Sequence, residues 1–209
     1  NPDTDPVGNV LAFIGAKGGV GSSSICHNVA WSMSEFLKSN VVVADLDLAF
    51  GTTGLDFNQD PVQGIADALQ SPERLDEVLL DRLLTKCSEH LSIFAAPVIL
   101  DRDYDISADA CDIVIDVVRQ NVPYVAVDLP HTWSSWVKRI LLRADQVVSG
   151  IHRAKHIVRR HLRVERGDEA SEAVLADASI DVGVGDHQAL WTFSIFRSRS
   201  WVRRSTSRR

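Results

Sequence analysis

Val10-Leu-Ala-Phe-Ile is a continuous apolar run that stops at Gly15, and three further glycines, Gly18, Gly19 and Gly21, precede Ser22-Ser-Ser. No other feature of the chain limits its fold as tightly. A short apolar run closed by glycine reads as a strand buried on both faces. From Ser22 to Leu37 the apolar residues Ile25, Val29, Met33, Phe36 and Leu37 recur at three- and four-residue steps, which predicts about four turns of helix with one apolar face. Serines at its start are placed to cap free amides. Between strand and helix, the glycines allow backbone angles closed to other residues, so successive N–H groups turn inward as a cradle for a phosphate chain. The helix N-terminus adds donors and a positive dipole end. The candidate cofactor-binding residues are therefore Gly15, Lys17, Gly18, Gly19, Val20, Gly21, Ser22 and Ser23, with the Ser23 hydroxyl placed for magnesium.

Four more strand-like runs follow: Val41-Val-Val-Ala-Asp-Leu, Leu91-Ser-Ile-Phe-Ala-Ala, Tyr124-Val-Ala-Val-Asp-Leu and Gln146-Val-Val. Helical spacing separates them, at Gly64 to Leu69, Leu75 to Cys87 and Asp109 to Arg119. Apolar strands alternating with helices predict an α/β fold, a parallel sheet with helices on both faces. Ligands of such sheets bind at the carboxyl ends of the strands. Two strand ends carry acids. Asp45 and Asp47, two residues apart, face one side where their strand leaves the sheet, and Asp128 closes an apolar run in the manner of a Walker B strand, whose carboxylate supports magnesium.

The usual phosphate loop reads G-x-x-x-x-G-K-[ST], but here Ser22 holds the lysine position and Lys17 is the basic residue of the loop. Lys-Gly-Gly-x-Gly resembles the deviant Walker A loop of the MinD/ParA superfamily of P-loop ATPases. That resemblance implies a homodimer formed through bound ATP, in which Lys17 reaches the nucleotide of the other subunit. It also implies that Asp47 positions or activates the attacking water, while Ser23, Asp45 and Asp128 surround Mg2+. Lys17 and Asp47 are thus the candidate catalytic pair.

A narrower resemblance rests on Gly15-Ala-Lys-Gly-Gly-Val-Gly-Ser-Ser, Asp45-Leu-Asp-Leu-Ala-Phe-Gly51-Thr-Thr-Gly-Leu-Asp56, Asp60-Pro-Val-Gln-Gly-Ile-Ala-Asp67 and Asp128-Leu-Pro-His131. From about Val10 to about Val148 the chain is similar to CpaE/TadZ proteins of Tad (Flp) pilus assembly, where serine commonly replaces the loop lysine. The resemblance implies a cytoplasmic ATP-binding factor, recruited to the cell pole or the inner face of the membrane, that positions the pilus secretion machinery. It also implies a receiver-like domain before the ATPase. Loss of the loop lysine removes positive charge from the β/γ-phosphates, so hydrolysis is expected to be slow or silent.

Competing readings are a partitioning or division-site ATPase, a metabolic kinase or nitrogenase-type reductase, and a scaffold with a degenerate nucleotide site. Residues 1–149 carry 10 Lys+Arg against 21 Asp+Glu, which argues against a DNA-binding surface and makes nucleic acid an unlikely partner. No apolar run approaches the roughly 20 residues of a transmembrane segment. Cys26, Cys87 and Cys111 lie far apart and read as reduced thiols, not as cluster ligands.

Organisation is expected as a polar linker over 1–9, an ATPase core over 10–149 and an atypical basic tail over 150–209. The tail holds 12 Lys+Arg against 7 Asp+Glu, and 11 of the 12 are arginine. A reading-frame shift in a GC-rich gene, a lipid- or nucleic-acid-binding tail and an ordinary flexible tail all fit that composition. Under the first, the fold is truncated on its C-terminal side. His152, His156 and His161 lack acidic or thiolate companions and read as a solvated face, and His131, Trp133 and Trp136 as packing or a partner-facing surface.

Overall fold

The computed structural model describes residues 7–97, 106–151, 178–183 and 190–197. The strands are β1 (Asn9–Gly15), β2 (Val41–Asp45), β3 (Thr85–Lys86), β4 (Leu91–Phe94), β5 (Tyr124–Leu129), β6 (Gln146–Ile151), β7 (Ala178–Gly183) and β8 (Leu190–Arg197). The helices are α1 (Ser22–Phe36), α2 (Thr53–Asp56), α3 (Ile65–Gln70), α4 (Glu77–Leu83), α5 (Ala108–Asn121) and α6 (Ser135–Arg143). All described strands join one sheet in the order β3-β4-β2-β5-β1-β6-β8-β7. The five at its centre, from β4 to β6, run parallel, as expected for a helix-covered α/β sheet.

Alternation along each strand divides the core in two. Val10, Ala12 and Ile14 of β1, with Val42, Ala44, Val125 and Val127, face the layer built from α3 to α6. Leu11 and Phe13, with Val41, Val43 and Ala126, face α1 through Cys26 and Ala30. Every one of these strand residues is buried, and Phe13 is fully so. Replacing it with alanine would cost about 3–5 kcal/mol, the usual loss for a buried phenylalanine.

Several boundaries differ from the sequence expectation. Of the helix expected over Leu75 to Cys87 only α4, Glu77–Leu83, forms, after a 3-10 turn at Pro72–Arg74 and before the short antiparallel β3. The Asp76 carboxylate explains the restart by accepting from Leu79 N at 2.8 Å as an N-cap. No serine caps α1: its N-cap is Gly21 at φ 80°, without a side-chain bond. Helix α6 was not anticipated. Its Val137, Ile140 and Leu141 are buried at helical spacing, and Arg139 and Arg143 clasp Asp112 of α5 at 2.6 Å each.

The expected linker is tied in where it is described, with Gly8 N donating to Arg119 O at 2.7 Å. Most of the expected tail lies outside the described residues, and so do His152, His156 and His161. Its two described stretches are β8, antiparallel to β6, and β7, antiparallel to β8. The three cysteines are free thiols, and burial pushes the Cys87 thiol up to about 11. Among the described residues no helix is long and apolar enough to cross a membrane.

Candidate functional site

The strand order brings the glycine loop and the acidic ends of β2 and β5 to one edge. β5 lies between β1 and β2, with Phe13 opposite Asp128 on one side and Asp45 opposite Asp128 on the other. The glycine loop leaves β1 beside these carboxylates. Gly19 and Gly21 adopt φ of 74° and 80°, the left-handed region that glycine enters without strain, whereas Gly18 does not need it. At Gly15 a side chain would run into Val20 Cγ2 at 2.6 Å and Lys17 O at 2.9 Å, so the curl of the loop itself demands glycine there. With Gly21 offering no side chain as a cap, the first amides of α1 have no side-chain acceptor, a geometry suited to an anion. Lys17, Gly18 and Gly19 are exposed, Val20 is buried as the anchor of the loop, and Ser22 and Ser23 are half-buried.

Asp128 is fully buried, and neither carboxylate oxygen has a well-formed hydrogen bond among the described residues. Its proton is held up to about 8, first by burial and then by the charge of Asp45, while the nearby Ser23 hydroxyl pulls the other way. A carboxylate in such a place is stabilised by a cation. Magnesium is characteristically held by one or two carboxylates together with phosphate and water, and Asp128 with the Ser23 hydroxyl fits that donor set. No group of three or more His, Cys, Asp or Glu side chains that could hold a metal ion exists among the described residues.

Asp45, the third expected metal residue, is already engaged. It accepts from Thr53 Oγ1 at 2.6 Å, Thr53 N at 3.2 Å and Asp47 N at 3.1 Å. Burial raises its pKa and these bonds lower it. Asp47 is half-buried and accepts from Phe50 N at 3.2 Å within the turn that leads to α2. Gly51 packs against the Asp45 carboxylate so closely that any side chain there would collide with it.

The sequence reading did not include His27. It is buried on α1, with Nδ1 2.6 Å from Asp56 Oδ2 and Nε2 2.9 Å from Thr53 Oγ1. The Thr53 hydroxyl gives its single proton to Asp45, so it accepts the bond from His27. His27 Nε2 is also 3.8 Å from Asp128 Oδ2. A continuous chain thus runs Asp56–His27–Thr53–Asp45, linking the exposed end of α2 to the buried acids. The available signal was spacing: His27 lies four residues after Ser23, on the same helix face. Thr53 and Asp56 stood inside a quoted motif but without a role.

No protein-family profile matches the chain. The septum site-determining protein MinD of Helicobacter pylori is 27% identical over 143 residues, 66% of this chain and 51% of that protein. This chain therefore spans about half the length of the curated relative it matches. A ParA family ATPase from Chlorobium tepidum is 27% identical with a TM-score of 0.59, over 66% of this chain and 58% of that one. A plasmid partition protein of Borrelia burgdorferi solved with AMPPNP gives a TM-score of 0.58 at 17% identity, over 76% of this chain and 67% of that one. With a parallel central sheet, a glycine loop after β1 and acids at the ends of β2 and β5, the chain has the fold of the MinD/ParA P-loop ATPases.

Proposed function

We propose that the protein binds ATP with Mg2+ at the Gly15–Ser23 loop, dimerises through the bound nucleotide, and acts in Tad (Flp) pilus assembly as a factor that localises the secretion machinery. The observation that carries nucleotide binding is the buried carboxylate of Asp128 without a well-formed hydrogen bond among the described residues, beside a glycine loop that opens its amides at the start of α1. Bound magnesium would neutralise charge on the phosphates. The loop amides orient the phosphate chain, Ser23 and Asp128 hold the metal, and Asp45 fixes Thr53 and the start of the turn that carries Asp47. In this reading Asp47 orients water at the terminal phosphate and Lys17, exposed on the loop, reaches across the dimer. Ser22 supplies no cation, so turnover is slow or absent.

The pilus role rests on the four sequence motifs that resemble CpaE/TadZ, three of which, at 15–23, 45–56 and 128–131, form this site. Recruitment to the pole or the inner face of the membrane follows from the same reading. A second reading, a partitioning or division-site ATPase, is favoured by the 27% identity to MinD. The acidic balance of residues 1–149 opposes DNA binding under it.

Calorimetric titration with ATP and GTP analogues, with and without Mg2+, alongside light scattering tests the site. Mg2+-dependent binding with a doubling of mass is expected, and no binding to either nucleotide would refute it. Deleting the gene in its source organism separates the cellular readings, since loss of surface pili supports the first and a segregation or septation defect the second.

A further inference from the structure

We propose that His131 is a phosphate-contacting residue of this site, its imidazole N–H meeting the terminal phosphate of a bound nucleoside triphosphate over Gly18. The inference rests on the reading of the Gly15–Ser23 loop as a nucleotide site.

Three observations carry it. The first is position. His131 follows Asp128-Leu-Pro at the end of β5, which pairs directly with β1, so the two strands release His131 and the glycine loop side by side. Pro130 restricts the backbone immediately before it. The ring lies against the loop: a Cβ built on Gly18 would stand 3.5 Å from His131 Cε1, 3.7 Å from Nε2 and 3.8 Å from Nδ1. Both nitrogens are therefore on the edge turned to the loop.

The second is that the ring has no evident structural duty. His131 is exposed, and among the described residues no hydrogen bond or ion pair holds its imidazole. Trp133 and Trp136, two and five residues on, already anchor the segment by packing against the larger core cluster, of which His131 is not a part. A histidine needed only for packing would be buried among them.

The third is charge. Asp45, Asp47 and Asp128 gather at the strand ends, and His27 is taken by Asp56 and Thr53. A polyphosphate entering so acidic a site needs donors, and Ser22 stands where a phosphate loop usually supplies lysine. Among the described residues Lys17 and His131 are the cationic or N–H-bearing side chains set at the loop. An imidazole carries at least one N–H that can donate to phosphate.

The test uses the full chain and compares Mg2+-dependent affinity for a non-hydrolysable ATP analogue with affinity for ADP. His131→Phe keeps a packed ring without donors, His131→Ala removes the ring, and His131→Gln keeps an N–H donor. Phe and Ala are both expected to weaken the triphosphate about tenfold, the scale of a lost hydrogen bond to a charged group, with ADP affinity changed less than about twofold. Gln is expected to restore part of the loss. Wild-type affinity in His131→Phe would overturn the proposal, and so would equal losses for ATP analogue and ADP. If the wild type binds no nucleotide, the loop reading falls and this one with it; if it binds and His131→Phe matches it, only this one falls.

Discussion

Replacing Asp128 with asparagine should make the ligand-free protein more stable at alkaline pH. In the unfolded chain this carboxyl ionises near its ordinary value of 3.8, whereas in the folded protein it keeps its proton up to about 8. Between those values the folded state binds more protons than the unfolded one, so stability falls as pH rises through the window and the full deficit is present above about 8. A difference of about 4 pKa units corresponds to a ceiling of about 6 kcal/mol at 1.36 kcal/mol per unit. Asparagine keeps the shape and does not titrate. Urea unfolding followed by the fluorescence of the five tryptophans, at pH 5 to 8.5 without Mg2+ or nucleotide, reads the effect. The wild type should lose several kcal/mol across the range, while Asp128→Asn should vary less and exceed it at pH 8.5 by about 2–6 kcal/mol. Mg2+ with an ATP analogue should stabilise the wild type and leave the variant nearly unaffected. Parallel pH curves for the two proteins, or a variant weaker than wild type at pH 8.5, would refute the reasoning.

Lys17→Ala should leave the monomer folded and abolish dimerisation with a non-hydrolysable ATP analogue; an unchanged dimer fraction in light scattering contradicts the proposed reach across the interface. Asp47→Ala should slow any turnover at least about tenfold while analogue affinity stays within about twofold by calorimetry, the pattern for a group acting only at the transition state. His27→Ala should destabilise the fold by about 2–3 kcal/mol, because Asp56 and Thr53 lose a shared partner and a buried polar group is left unsatisfied; a Tm equal to wild type would show that the chain to Asp45 carries no weight. With β8 paired to β6 and β7 to β8, limited trypsin digestion should leave residues 178–197 attached to the core; rapid loss of that segment, leaving a core ending near residue 149, would show that the basic tail lies outside the fold.

The central architecture was legible because its signals are local. β1 is apolar at every residue from Val10 to Ile14, α1 repeats apolar residues at helical steps, and β2 and β5 end in carboxylates, so a parallel sheet with a loop at its carboxyl edge follows from short-range patterns. What escaped has a different origin. Helix α6 is only nine residues long, so the helical spacing of Val137, Ile140 and Leu141 is too short to read by itself, and the helix is fixed by their packing on the core and by arginines meeting α5. β3 exists because β4 offers it an edge. The bonds from Thr53 to Asp45 and from His27 to Asp56 span 8 and 29 residues, and the loop turns that make them possible are set by Gly51 packing on Asp45. The serines at the start of α1 suggest a side-chain cap by their identity, yet Gly21, in the left-handed region, takes the N-cap position.

The layer that α1 forms among the described residues has a consequence for substitutions far from any ligand. Cys26, Ala30 and Ser34, each fully buried and spaced by four, form a row of small side chains that lets this helix lie low on the sheet. The helix is one rigid rod from Ser34 back to the amides that follow Gly21, so its seating height sets where those amides point. Enlarging Ala30 to valine or leucine would lift the rod, and the displacement would be delivered about two turns away, roughly 12 Å along the axis at 1.5 Å per residue. Natural variation in this row would then act as a dial on ligand affinity without touching the ligand, and an apparently conservative repacking would register as altered binding.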